Sequence, residues 1–566
     1  MSLRVDERRI WIVEVSLYGR PARFSTERLE IETDSGELVV CREGLEDFQL
    51  TIGSGDVAEL SAAVSIAADD LEGVAGPLDQ IGGWAGLYAA GYDLERQPAT
   101  LYRWKPGTTF ERARVVLRGI VQELSIGGPL EPLEFTVARA PSRESRTLIA
   151  ADAKVDLDTW PVRGSYEVDE NILGAWYPLV IGYPGGNVIG LVVEQRPRTP
   201  GLLVENADSP TPTARESRLL VAGHRVDADE VLVHRIETGN VSPTDSRPVF
   251  EVEDGLGRTV SVVDFDGSSL DHELGDQFYV SWSPSIGDGG GLPRLDGSGP
   301  VRGLGEVIRR LLEEFSDLDV DGPAMESESV YLDRFKIDTF VNEPPADAWT
   351  WIQSELLQLV PVKILEGPNG IWIRLMRYDA TARDAGLFVD GDDARVSRRS
   401  RLTSTGWDQV ANEIRIDFGA NRNAPNFVAH RVITGREEVP SQSFFDFRCG
   451  VSRRRLTRDG RPESGIRELV IGGGSHLEDV ATVDAILRLK AAELAIPHKR
   501  GSWSLPESLE DSIRPADVVL IRDTEVGIPV PRAALVDDVT IGGGEVVANL
   551  IVLEDPARIE RTFRSV

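Results

Sequence analysis

Apolar and polar positions alternate along RARVVLRGIVQEL, where Ala113, Val115, Leu117, Gly119 and Val121 are set against Arg112, Arg114, Val116 and Arg118. A period of two places one row of side chains on each face of a strand and predicts one half-buried face. After the breaker Gly127-Gly128-Pro129, Leu133, Phe135 and Val137 alternate with Glu134, Thr136 and Ala138, so the two runs predict an antiparallel pair joined by a short loop. IWIVEVSLY, PARFSTERLEIET, GELVVC, DFQLTIG and ATLYRW have the same character, with IGGWAGLYAAG at 81–91 as the interruption. Residues 1–147 are therefore expected to form a small β-barrel or sandwich.

From Pro141 the chain turns to Pro, Gly and Ser, which break short strand candidates such as NVIGLVVEQ, RLLVAGH and FEVEDG. Residues 148–300 are expected to be a β-rich insert ending at the Gly-rich stretch 283–303, taken as a domain boundary. The period then changes: Leu304, Val307, Ile308, Leu311, Leu312 and Phe315 share one face of a helix. A second helix is predicted after Pro344-Pro345 with Ala348, Trp349, Ile352, Leu356 and Leu359 apolar, leading to a hairpin around Gly367-Pro368-Asn369-Gly370. Residues 301–395 form an α+β unit on this reading. Residues 396–566 return to strands, with one added helix carrying Leu477, Val480, Val483, Leu487 and Leu494. The expected fold class is mainly β with α+β, two similar β-barrel domains flanking the insert and the α+β unit.

The pair at Ile120–Pro141 aligns without a gap with Leu535–Pro556, and Val121/Val536, Ile126/Ile541, Gly127/Gly542, Gly128/Gly543, Val137/Val552 and Pro141/Pro556 are identical. Unrelated hairpins also share valines and a glycine turn, but each of these closes a segment of similar character, which favours an internal repeat. A repeated domain lets a lower-order oligomer imitate a higher-order ring, so that three chains would present six barrels.

Charge narrows the function. With 61 Lys+Arg against 93 Asp+Glu, a net charge of -32 argues against a protein that grips phosphate backbones. No apolar run approaches the roughly 18 to 20 residues that cross a bilayer, and MSLRVDERRIWIVEV carries charges where a signal peptide has an apolar core. Synthesis and folding in the cytoplasm are expected. Cys41 and Cys449 lie far apart and outside any CxxC spacing, which predicts two buried thiols.

Several motifs offer candidate chemistry. Asp317, Asp319, Asp321, Gly322 and Glu328 match the spacing of a calcium-binding EF-hand loop, but SVYLDRFKI after it reads as a strand where that motif needs a helix, which favours a solvated acidic loop. Asp264, Asp266, Asp271, His272, Glu273 and Asp276 form a second acidic cluster that would suit paired carboxylates, against the simpler reading of a polar turn. The six histidines include no HExxH or HxH. IGGGSHLEDV has no Lys to meet a phosphate and reads as a turn with an N-cap at Ser475. Trp160, Trp176 and Trp372 fit interface or core anchors better than sugar platforms. Neither catalytic residues nor a cofactor is expected.

In order along the chain, YDLERQPATLYRW with VVLRGIVQEL, then GLGEVIRRLLEEF, PPADAWTWIQSELLQLVPVKILEGPNGIWIRL, and finally IRPADVVLIRD with LVDDVTIGGGEVVANLIVLED resemble the tail hub proteins of tailed bacteriophages and phage-tail-like particles. TWPVRGSYEVDENILGAWYPLVIGYPG resembles the outward inserts of long-tailed phage hubs, and the chain ends soon after the second expected barrel. The resemblance implies a structural protein of the virion tail tip, assembled in the host cytoplasm as a homotrimer. Its implied neighbours are the distal tail protein, tip or fibre proteins and the tape measure, with DNA only in transit and no stable membrane insertion. The alternatives are a tail-tip hydrolase of glycan or peptidoglycan, with the 264–276 carboxylates as candidates, and a receptor-binding module using the insert.

Overall fold

The computed structural model describes residues 9–17, 20–52, 60–67, 94–126, 131–138, 147–160, 166–167, 173–184, 199–208, 215–237, 240–265, 277–282, 291–294, 299–316, 318–343, 347–367, 369–419, 429–458, 460–542 and 544–564. The chain is mainly β and divides into two compact units. The first gathers residues 1–142, 362–405 and 498–554; the second gathers 143–361, 406–497 and 555–566. Among the described residues no helix is long and apolar enough to cross a membrane.

In the first unit the N-terminal segment supplies β1 (Ile10–Leu17), β2 (Arg20–Ser25), β3 (Leu29–Glu32), β4 (Leu38–Glu43), β5 (Leu45–Ile52), β6 (Leu60–Ile66), β7 (Pro98–Trp104), β8 (Arg114–Ile126) and β9 (Leu133–Ala138). A separate hairpin, β10 (Val362–Gly367) and β11 (Gly370–Leu375), turns where the sequence places it. The later segments add β12 (Leu387–Asp390), β13 (Ser397–Arg398), β14 (Thr403–Ser404), β15 (Lys499–Pro506), β16 (Val518–Asp523), β17 (Ile528–Gly542) and β18 (Glu545–Val552).

All of these except β10 and β11 belong to one sheet, whose main path runs β13-β15-β18-β17-β5-β6-β9-β8-β7-β1-β2-β4-β3, with β14 on β15, β16 on β17 and β12 on β16. The two ends of the chain are thus neighbours in one open strand order rather than two separately closed barrels. They also share a core, in which Trp11, Val13, Leu101, Leu117 and Val121 pack with Trp503, Leu505, Val519, Ile521 and Val536. The strand β6, LSAAVSI, lies mid-sheet and buries Ala62, Val64 and Ile66 at alternate positions.

The second unit holds a seven-stranded sheet in which Arg215–Ala222 lies between Thr199–Asp208 and Thr259–Phe265, and Thr199–Asp208 pairs also with the last strand, Gln277–Ser281. Leu219, Val221, Val263, Val280 and Trp282 fill its core. The expected boundary at 283–303 lies inside this unit. Its described residues are tied down by backbone bonds: Gly291 N–H donates to Gly182 O (2.8 Å), Leu292 N–H to Val180 O (2.9 Å) and Val301 N–H to Leu292 O (2.7 Å).

Helix α1 (Leu304–Phe315) buries Leu304, Val307, Ile308, Leu311 and Leu312, the predicted face. Beyond it the sequence expectation fails: the first four residues of the segment read as a strand, Ser329–Leu332, close helix α2 (Gly322–Leu332). Asp321 accepts a hydrogen bond from Ala324 N–H and Pro323 sits in the first turn, a start signal that outweighs the β-preferring Val330 and Tyr331, both of which face solvent. The predicted helix after Pro344-Pro345 forms at Ala348–Trp351 and continues as a π turn, Ile352–Leu356. Around a four-stranded sheet (Glu413–Phe418, Ala429–Thr434, Ser443–Phe445, Glu468–Ile471) stand α3 (Phe447–Leu456) and α4 (Val480–Leu494), and α5 (Pro556–Arg564) contacts α3.

Replacing the cap, Asp321→Ala, is expected to destabilise the protein by about 1 kcal/mol, read as a lower urea midpoint with an unchanged slope.

Candidate assembly surface

The repeat foreseen in the two hairpins extends to strands on both sides of them. Each copy enters through a residue in the left-handed backbone region, Arg96 (φ 63) and Ala516 (φ 67), two of three such non-glycine residues among those described. Arg96 N–H donates to Val121 O (2.8 Å) and Val121 N–H to Gln97 O (2.9 Å); Ala516 N–H donates to Val536 O (2.7 Å) and Val536 N–H to Asp517 O (2.9 Å). The following ladders correspond, Pro98↔Ile120 with Val518↔Leu535 and Leu101↔Leu117 with Ile521↔Arg532, and both then shift register.

On the other side β6 pairs β9 as β15 pairs β18, and beyond them β5 flanks β6 as β13 and β14 flank β15. Thr51 lies opposite Ser61 and Thr403 opposite Arg500, which makes Gln49-Leu50-Thr51 the counterpart of Arg401-Leu402-Thr403. Leu50 is buried in the shared core and Leu402 packs against it. The gapless alignment needs one correction. Val121 pairs with Val137 but Val536 with Leu550, so in the second strand the hairpins differ in register by two residues, a shift that keeps every side chain on its own face.

The two copies meet where β17 outruns β16. Its end pairs with β5 as Val539↔Ile52, Thr540↔Thr51, Ile541↔Leu50 and Gly542↔Gln49. A Cβ on Gly542 would lie 2.5 Å from Phe48 O, so glycine is what lets the two backbones close. An ionic cluster ties the same two segments of the chain: Arg103 pairs with Glu510, and Arg9 and Arg114 both pair with Asp511. Arg103 also stacks over Trp11 (5.4 Å), whose ring lies 4.5 Å from Phe48. Arg103 and Glu510 are both buried, and burial pushes the Glu510 carboxyl up to about 7 despite the guanidinium beside it. Desolvation therefore exceeds what the pair returns.

The same joint has open counterparts. In the first copy the residues equivalent to Val539–Ile541 are Leu124–Ile126 of β8; β7 covers β8 only as far as Ile120, and among the described residues no strand pairs the remaining edge. In the second copy the strand equivalent to β5 is the stretch Ser397–Ser404, exposed along most of its length and paired on one side only. One chain thus presents both halves of the joint it uses internally. Unpaired edges of this kind are templates for strand addition.

No family model matches the chain, and no curated protein matches it. Among solved structures it is similar to the 43 kDa tail protein of prophage MuSo2 from Shewanella oneidensis, at 9% identity over 98% of each chain with a TM-score of 0.36. It is also similar to a chain of the gene transfer agent virion, at 12% identity over 49% of this chain and 79% of that one (TM-score 0.15), and to one of the phage P2 baseplate in its activated conformation with Ca, at 8% identity over 71% and 97% (TM-score 0.17). Scores this low transfer neither fold nor function.

The other sequence candidates are dispersed. In the acidic stretch, Asp317 lies outside the described residues, Asp321 caps α2 and Glu328 lies within that helix, so the twelve-residue EF-hand loop is replaced by helix from Gly322 onward. Among the described residues no three His, Cys, Asp or Glu converge on a metal position. Of the second cluster only Asp264 is described, on a strand opposite Arg218; Asp266, Asp271, His272, Glu273 and Asp276 lie outside the described residues. Trp160 is buried, Trp176 is covered by Lys154 (3.9 Å) and Trp372 packs over Gly367. Ser475 is not the cap of α4; Asp479 is, accepting from Thr482 N–H. His476, one of the six histidines, is buried with Nδ1 2.7 Å from Thr339 Oγ1 and Nε2 2.9 Å from Glu355. Cys41 and Cys449 are buried thiols, and burial pushes Cys41 up to about 11.

Two outcomes follow from the joint. Gly542→Val is expected to lose amide-exchange protection at Val539–Gly542 and Gln49–Ile52 while the hairpin β10–β11 stays protected. Because folded Glu510 holds its proton up to about 7 against an ordinary 4.5, the folded state binds more protons across that window. Stability is therefore expected to fall as pH rises from about 4.5 to about 7, and Glu510→Gln to flatten that slope in urea titrations at stepped pH.

Proposed function

We propose that the chain is a structural tail hub protein of a tailed bacteriophage or phage-tail-like particle, forming a trimeric ring of six equivalent repeats. The observation that carries this is the β5–β17 joint together with the two open edges that match it. If the edge at Leu124–Ile126 of one copy takes the Ser397–Ser404 edge of the next as β17 takes β5, the association is heterologous and advances by the same step. Such contacts build rings when the rotation closes.

In this reading residues 1–142 with the segments 362–405 and 498–554 supply the two ring repeats, and the second unit, which holds the β-rich insert 148–300, reaches neighbouring tail proteins. The ring joins a distal tail protein above to tip or fibre proteins below. Its bore passes the tape measure and then DNA, which a chain of net charge -32 does not hold. The work is assembly rather than catalysis.

Native mass spectrometry and light scattering test this. The wild-type chain is expected to form trimers, and Arg401→Pro, on an exposed part of the edge, to remain monomeric with unchanged circular dichroism. A wild-type chain that stays monomeric at all concentrations, or a trimer indifferent to Arg401→Pro, would count against the ring.

A further inference from the structure

In so acidic a chain, α3 and the turn after it are an exception. Arg454, Arg455, Arg458 and Arg461 are all exposed. Asp446 caps the helix start, and three arginines stand in the last turn, where they also face the negative end of the helix dipole. Arg455 lies over the Trp407 ring at 5.8 Å. Among the described residues Arg458 and Arg461 form no ion pair; their backbones bridge a turn. On the Arg454 side Phe445 is 42% exposed. Gly450 brings the two chemistries together, since a Cβ there would lie 3.1 Å from Phe445 Cζ and 3.5 Å from Arg454 Nη1.

Arg454 already receives one carboxylate. Helix α5 lies against α3, and its Glu560 carboxylate takes the Arg454 guanidinium at 2.8 Å. Arg454 is thus matched by the one carboxylate of a helix that otherwise carries Arg558, Arg561 and Arg564, so the preference shown is for a helical carboxylate and not for the rest of α5. We infer that the surface formed by Phe445, Arg454, Arg455, Arg458 and Arg461 docks a carboxylate-rich helical segment of another protein.

Three features favour protein over nucleic acid. The cations of the row are all arginine, and a guanidinium fork meets a carboxylate through two parallel bonds. An exposed phenylalanine adjoins it, and aromatic residues with arginine mark protein interfaces. The net charge of -32 repels a long polyanion that must lie along more of the surface than this patch. The inference uses only the second unit and does not depend on the ring.

The test is fluorescence anisotropy with the full chain and three probes: a labelled amphipathic helical peptide of Glu and Leu, its Gln-for-Glu analogue, and a short DNA duplex. The Glu peptide is expected to bind, with the Gln analogue and the Arg458→Glu/Arg461→Glu variant each weaker by about tenfold or more. Phe445→Ser is expected to weaken binding while leaving its salt dependence unchanged. No binding of the Glu peptide, equal binding of the Gln analogue, full binding by the double variant, or tighter binding of the duplex would each overturn the proposal. Circular dichroism establishes that the variants are folded.

Discussion

Four residue pairs between β5 and the end of β17 hold the first unit together as one sheet. Without them the N-terminal strands and the C-terminal hairpin would each end in an unsatisfied edge, and the core they share would be cut between Leu101 and Val121 on one hand and Leu505 and Val536 on the other. A ladder that short depends on close approach, which the missing side chain of Gly542 supplies. The buried Arg103–Glu510 pair links the same two segments, and it costs desolvation, so its contribution is better understood as fixing alignment than as adding stability.

The joint also explains the order of the chain. The second unit is built from two insertions into the repeat architecture of the first and the C-terminal segment 555–566: residues 143–361 lie between the copies, and 406–497 lie between β14 and β15, where the first copy has only the short connection from β5 to β6. The second insertion leaves the ladder positions of the repeat unchanged, because its chain leaves and returns at neighbouring strands, β14 and β15. The second unit can then carry its own contacts, among them the arginine row on α3, without disturbing the sheet.

Much of this was legible in the sequence where periodicity is strong. The hairpin β8–β9, its counterpart β17–β18 and the helix α1 follow the alternation and the i, i+3, i+4 spacing that predict them. β6 was missed because LSAAVSI offers small side chains whose alternation is weak in hydrophobicity, though Ala62, Val64 and Ile66 are as buried as any strand core. α3 was missed because FRCGVSRRRL carries a glycine and a charged last turn in place of an apolar stripe. α2 was misread because local β-preference at Val330 and Tyr331 competes with a cap at Asp321 that acts from the far end of the helix. The joint itself could not be seen: it pairs residues hundreds of positions apart, and only the shared Gly127 and Gly542 hinted that the ends of both hairpins face a constraint.

The most direct measurement is a cross-link. In the internal joint Thr540 stands opposite Thr51, whose counterparts across the open edges are Ser125 and Thr403. Opposed residues of an antiparallel ladder lie within the Cα separation that a disulfide spans. A chain carrying Ser125→Cys and Thr403→Cys is expected, on oxidation, to give covalent species ending at three chains on a non-reducing gel, and neither single variant to do so. Failure to cross-link while the chain is trimeric by mass would show that the copies join by another surface.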